Sequence, residues 1–98
     1  MAQNSKYQED ITTLAAGTEL FGGPVVIRTL TITADTADST IVNFSDSATT
    51  YNSTYRVFKV AIAGPLTKHF VFPEGKSFTR GLCATANNGS VDVSVTYD

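Results

Sequence analysis

Residues 78–98 read FTRGLCATANNGSVDVSVTYD, and their pattern bears most directly on the fold. Apolar and polar residues alternate on both sides of Asn88-Gly89. Both central residues of a type I′ turn need positive φ, which Asn and Gly tolerate best. With the turn placed there, Asn87 faces Ser90, Ala86 opposes Val91, Ala84 opposes Val93 and Leu82 opposes Val95. The other face pairs Thr85 with Asp92 and Cys83 with Ser94. A one-residue slip scrambles this sorting, because strand side chains alternate with period two. The pattern predicts an antiparallel hairpin that lays one apolar face on a core.

Upstream, short apolar-rich runs alternate with turn signals at the spacing of an all-β domain. TKHFVF (Thr67–Phe72) reads as a strand closed by a turn at PEGK (Pro73–Lys76). TYRVFKVAIA (Thr54–Ala63) puts Phe58, Val60 and Ile62 on one face, and STIVNF (Ser39–Phe44) puts Val42 with Phe44. PVVIRTLTITA (Pro24–Ala34) is rich in β-branched residues. Its parity is broken, since Arg28 shares a face with Val26, Leu30 and Ile32. Either a bulge shifts the phase near Arg28 or that side chain lies at the sheet margin. A single open sheet would leave one apolar face wet, so the expected fold is an antiparallel β-sandwich, jelly-roll or immunoglobulin-like.

Residues 1–22 differ in character, being polar with isolated apolar residues, and read as an N-terminal arm ahead of a single sandwich domain over 23–98. Apolar side chains at Leu20 and Phe21 would be stranded in water unless docked. The expected contacts of such an arm with a neighbouring subunit are Tyr7, Ile11, Leu14, Leu20 and Phe21.

The chain has 98 residues, 42% of them hydrophobic, which suits one compact domain. A formal net charge of -2, with seven scattered Lys and Arg, argues against a nucleic-acid binder, which shows a basic stripe. The polar start MAQNSKYQED lacks the apolar segment of a signal peptide, and no apolar run is long enough to span a bilayer. Cys83 is the single cysteine, so no internal disulfide is possible, and synthesis in a reducing cytoplasm is expected.

Few side chains offer chemistry. His69 is the lone histidine, in a strand without convergent partners, and reads as a surface or interface residue. A catalytic thiol needs a basic or cationic neighbour, whereas the expected hairpin register sets Cys83 opposite Ser94 on the more polar face, so it reads as structural. Asp35, Asp38 and Asp46 form a loose acidic cluster, yet their spacing matches no EF-hand loop and Asp is an ordinary turn former. LFGGP lacks the lysine of a phosphate-binding loop. No catalytic group, cofactor or metal is expected.

Three elements carry a family resemblance over residues 17–98: RTLTITADTADSTIVNF, FVFPEGKSF and the closing FTRGLCATANNGSVDVSVTYD. A Thr-rich strand, a polar loop, an apolar strand, an aromatic-Pro turn and a terminal F-x-x-GL … V-x-V-x-Y segment resemble small virion accessory proteins of tailed bacteriophages. Cys83 and Ala84 stand where that group tends to carry larger hydrophobic residues. The resemblance implies a capsid decoration (cement) protein or a head-fibre-like β-sandwich. It further implies a homo-oligomer, commonly a trimer, whose partner is the major capsid protein or another virion protein, made in the host cytoplasm and located in the virion. A neck, tail or fibre component is the alternative, including a receptor- or carbohydrate-binding module. Such a module needs an aromatic platform, for which Tyr7, Tyr51 and Tyr55 are the candidates.

Overall fold

The computed structural model describes residues 4–11, 17–34, 39–63, 65–87 and 91–98. Eight strands build it: β1 (Asn4–Ile11), β2 (Thr18–Phe21), β3 (Val25–Ala34), β4 (Ser39–Ser45), β5 (Arg56–Ala63), β6 (Leu66–Phe78), β7 (Leu82–Ala86) and β8 (Val91–Tyr97). A 3-10 turn at Ser53–Tyr55 precedes β5, where the sequence suggested that the strand had already begun. Two antiparallel four-stranded sheets, β1-β8-β3-β6 and β2-β7-β4-β5, pack face to face. The first strand pairs with the last, the second with the seventh, the third with the sixth and the fourth with the fifth. That nested hairpin, rolled so that β3 meets β8 and β4 meets β7, is jelly-roll order. It excludes the immunoglobulin alternative, which divides its strands as ABED and CFG.

The expected closing hairpin is corrected. β7 and β8 do not pair; they lie in opposite sheets. Leu82, Ala84 and Ala86 line the core from one side, and Val91, Val93 and Val95 line it from the other. Period-two alternation fixes which face is apolar, and that face is satisfied equally by a sheet neighbour or by a strand across the core. Asn87 helps divert the chain: its Oδ1 accepts from Ile41 N at 2.7 Å and its amide donates to Ile41 O at 3.1 Å. It is thereby tied to β4. The Asn88-Gly89 turn itself lies outside the described residues.

The parity break in β3 is a bulge. From Ile27 to Thr29 the strand takes two steps while β8 takes one, from Tyr97 to Thr96. Val25 and Ile27 point inward before it, Leu30, Ile32 and Ala34 after it. Facing β6, the same two steps oppose the span from Lys76 to Val71. The PEGK segment expected to end the strand is therefore a wide bulge inside a 13-residue edge strand. Pro73 costs no ladder bond at an edge, and Gly75 supplies a φ of 80°. Arg28 ties the irregularities together. Its Nη2 donates to Asp98 Oδ2 at 2.6 Å and its Nη1 to the Pro73 carbonyl at 3.3 Å.

Residues 1–22 do not form a separate arm where they are described. Ser5 to Gln8 of β1 pair residue by residue with Thr96 to Val93 of β8, and β2 pairs with β7. Backbone pairing needs no apolar side chains, so a polar segment such as NSKYQEDI still completes a sheet.

Candidate interaction surface

The five residues expected to dock on a neighbour divide by burial. Ile11 and Leu20 are 0% and 2% exposed and belong to this chain's own core. That is a correction: β1 and β2 turn them inward between the sheets, and they are not available to a partner. Phe21 packs partly buried at the core margin, edge-on to Tyr97 with ring centroids 4.8 Å apart. Lys6 lies 5.3 Å over the Phe21 ring, which holds β1 and β2 together along one side of the sandwich. Tyr7 remains exposed at 57%, its hydroxyl donating to Asp92 Oδ2 at 2.9 Å. Leu14 lies outside the described residues. Tyr7 and Tyr55 lie on different parts of the molecule. Tyr7 is on β1, whereas Tyr55 is beside the other sheet with the Arg80 guanidinium 4.1 Å over its ring.

The chemically suggestive residues sit as follows. His69 Nδ1 is 2.6 Å from Thr31 Oγ1 on the outer face of the β1-β8-β3-β6 sheet. Around it, Thr29 and Thr96 hydroxyls meet at 2.7 Å and Thr33 and Thr67 at 3.1 Å, a polar ladder on the solvent side. Cys83 is fully buried on the outer face of its sheet, beneath the segment after β4, with Sγ 3.3 Å from the Ser47 carbonyl. Burial pushes its thiol above the ordinary pKa; hydrogen bonding with Ser47 opposes this and the Glu19 carboxylate adds to it. A reactive thiolate is found in the opposite surroundings. Among the described residues, no three His, Cys, Asp or Glu side chains gather as a metal site.

Asp46 is committed to the fold, while Asp35 and Asp38 lie outside the described residues. Its carboxylate accepts from Arg80 N at 2.8 Å, Thr79 N and Oγ1 at 3.1 Å, and Gly81 N at 3.3 Å. Burial works to raise its pKa, but those amides and the hydroxyl outweigh it and hold the carboxyl below the usual aspartate value. The unfolded value is about 3.9, so the stabilisation is complete above it and is lost as pH falls through the lower folded value. Asp46→Ala is expected to cost about 1–2 kcal/mol near neutral pH, the range for charged hydrogen bonds reduced by partial exposure. In urea melts the gap to wild type closes as the pH falls below the unfolded value and through the lower folded one. A gap that stayed constant would show that the carboxylate charge does not hold this turn.

The remaining feature is the side of the sandwich where edge strands β5 and β6 run past each other. Phe58, Val60, Phe70 and Phe72 belong to the inner faces but are only partly buried there. Phe58 and Phe72 stack with centroids 5.5 Å apart and planes at 26°. Beside them Val57, Leu66 and Val71 are 37%, 46% and 59% exposed. Lys68 bridges the gap at one end, its Nζ donating to the Ala61 carbonyl at 2.9 Å. The opposite side is closed by Leu20, Phe21, Tyr97 and Lys6, so the two lateral sides of the molecule differ. This open side is apolar inside and basic at the rim, with the backbone groups of two edge strands beside it. Sequence reasoning identified the strands but missed the site, because the meeting of β5 and β6 depends on the sheet order.

Comparison with protein-family models finds no match, and comparison with curated proteins finds none either.

Proposed function

We propose that this chain is a structural protein of a virus particle, a capsid decoration (cement) protein that binds and stabilises the assembled head of a tailed bacteriophage. The observation that carries the reading is the open β5–β6 side. There a small jelly roll leaves Phe58, Val60, Phe70 and Phe72 half covered and Val71 and Leu66 in water. An exposed apolar edge of this kind suits a protein that works by contact, with further copies of itself or with the shell. The resemblance of the Thr-rich strand and the closing segment to phage virion accessory proteins supplies the kind of assembly, with the major capsid protein as partner. Small contacts are sufficient in this role. A shell offers many equivalent sites, and an oligomer that engages several of them gains by effective concentration.

Quantitative mass spectrometry of purified virions tests the proposal. A copy number comparable to the major capsid protein, or one oligomer per few capsid subunits, is the expected result. A handful of copies per particle would move the protein to the neck, tail or fibre. Complete absence from virions would overturn the proposal.

A further inference from the structure

The two lateral sides of the sandwich carry opposite charge. In sequence, β1 and β2 hold Lys6 against Glu9, Asp10 and Glu19, a formal −2. β5 and β6 hold Arg56, Lys59, Lys68 and Lys76 against Glu74, a formal +3. Glu9 and Glu19 are exposed on the first side, Arg56 and Lys59 on the second.

The sheet order adds a directional constraint. Each sheet has four antiparallel strands, so its two edge strands run in opposite directions: β1 against β6, and β2 against β5. A second copy placed beside the first in the same orientation therefore continues antiparallel alternation in both sheets at once, β6 meeting β1 and β5 meeting β2. The register of the second sheet sharpens this. Glu19 is opposite Cys83, Cys83 opposite Ser45, and Ser45 opposite Arg56. An acid and a base thus end the same cross-strand row, and a neighbour at the same level sets Arg56 beside Glu19.

We propose that copies of this chain associate head to tail, the acidic β1–β2 side of one seating on the basic, apolar β5–β6 side of the next. A two-fold contact through β5–β6 alone would also be antiparallel, but it would bring two +3 edges together. The head-to-tail contact replaces that repulsion with attraction and covers Phe58, Val60, Phe70 and Phe72. Being heterologous, it closes into a ring or continues as a filament according to the rotation between copies. It concerns the chain by itself and stands whether or not the oligomer decorates a capsid.

Sedimentation velocity on the purified chain, across concentration and salt, tests the contact. Wild type is expected to self-associate and to dissociate as salt screens the edges. Glu19→Arg takes the β1–β2 side from a formal −2 to 0 and puts a basic group at both ends of the row, and Arg56→Glu brings an acidic group to both ends. Each is expected to weaken association on the order of tenfold. The double variant E19R/R56E, with the pair exchanged, restores it. An equimolar mixture of the two single variants forms a species containing both. Both positions are exposed, and circular dichroism verifies that each variant is folded. A wild type that stays monomeric up to about millimolar concentration, or association indifferent to Glu19→Arg, would overturn the head-to-tail contact. The second result would point to a two-fold contact through β5–β6. Virion stoichiometry is read separately, so failure of the capsid role and failure of this contact are distinguishable.

Discussion

Phe44→Ala is expected to lower the unfolding free energy by about 3–5 kcal/mol, the range for deleting a buried aromatic side chain. Phe44 comes from the middle of the β2-β7-β4-β5 sheet and is 0% exposed. Its ring stands edge-on to Phe58, centroids 6.3 Å apart and planes at 81°, and Phe58 in turn contacts Phe72 and Phe78. Ile27 and Leu30 from β3 and Leu82 from β7 surround the same space, so the ring is where the two sheets interlock. Neighbours anchored in two hydrogen-bonded sheets cannot close over the missing volume, and the cavity cost adds to the lost transfer energy. A domain of this size has a stability of roughly 5–15 kcal/mol, so the variant lies close to the limit of folding. Urea denaturation followed by tyrosine fluorescence measures it, with the midpoint falling and the slope unchanged. A loss below about 1 kcal/mol would mean that the sheets collapse around the site and are not held at a fixed separation.

The inner faces of β4, β5, β7 and β8 were readable from parity alone. Phe58, Val60 and Ile62 share a face, as do Val42 and Phe44, because burial on one face imposes period two on the sequence. The β3 bulge was only half readable: the broken parity at Arg28 allowed either a bulge or a side chain at the sheet margin, and the register decides for the bulge, since one inserted residue reverses the phase. Lateral neighbours were not readable. The alternation around Asn88-Gly89 is the same whether β7 and β8 lie side by side or face each other, and the choice rests with β2, β4, β3 and β1. PEGK looks like a chain reversal because Pro and Gly punctuate local structure. An edge strand absorbs both in a bulge, a distinction that depends on position in the sheet. Ile11 and Leu20 were recognisable as apolar residues needing cover, but not as residues covered by their own chain. The polar β1 hides its place in the sheet because backbone pairing leaves no side-chain signature. The Glu19–Arg56 row was out of reach for the same reason: it needs the register of four strands.

A large effect from a single added methyl group is expected at Gly81. Three segments converge on this residue: the end of β2, the loop that follows β4, and the turn between β6 and β7. Its φ of 153° is a conformation that residues with a Cβ rarely adopt. A Cβ added there would fall on the Phe21 carbonyl oxygen, 2.7 Å from the Ser47 carbonyl oxygen and 3.0 Å from Ala48 Cα. All of these are backbone atoms, so no side-chain rotation relieves the contact. Either the turn gives up its amide bonds to Asp46, or the loop lifts from the outer face of the sheet and uncovers Cys83. Backbone strain of about 1–3 kcal/mol combines with the clash, and Gly81→Ala is expected to cost about 3–4 kcal/mol. The two routes of relief are distinguishable by Cys83. Its buried thiol should react slowly with a disulfide reagent in the wild type, and if the loop lifts, its labelling in the folded variant should accelerate along with the loss of stability. A variant as stable as wild type would show that the chain at Gly81 does not pass between the Phe21 and Ser47 carbonyls. A destabilised variant with an unreactive thiol would place the relief in the Asp46 turn. In that case Asp46→Ala and Gly81→Ala would be less than additive, because both would remove the same bonds.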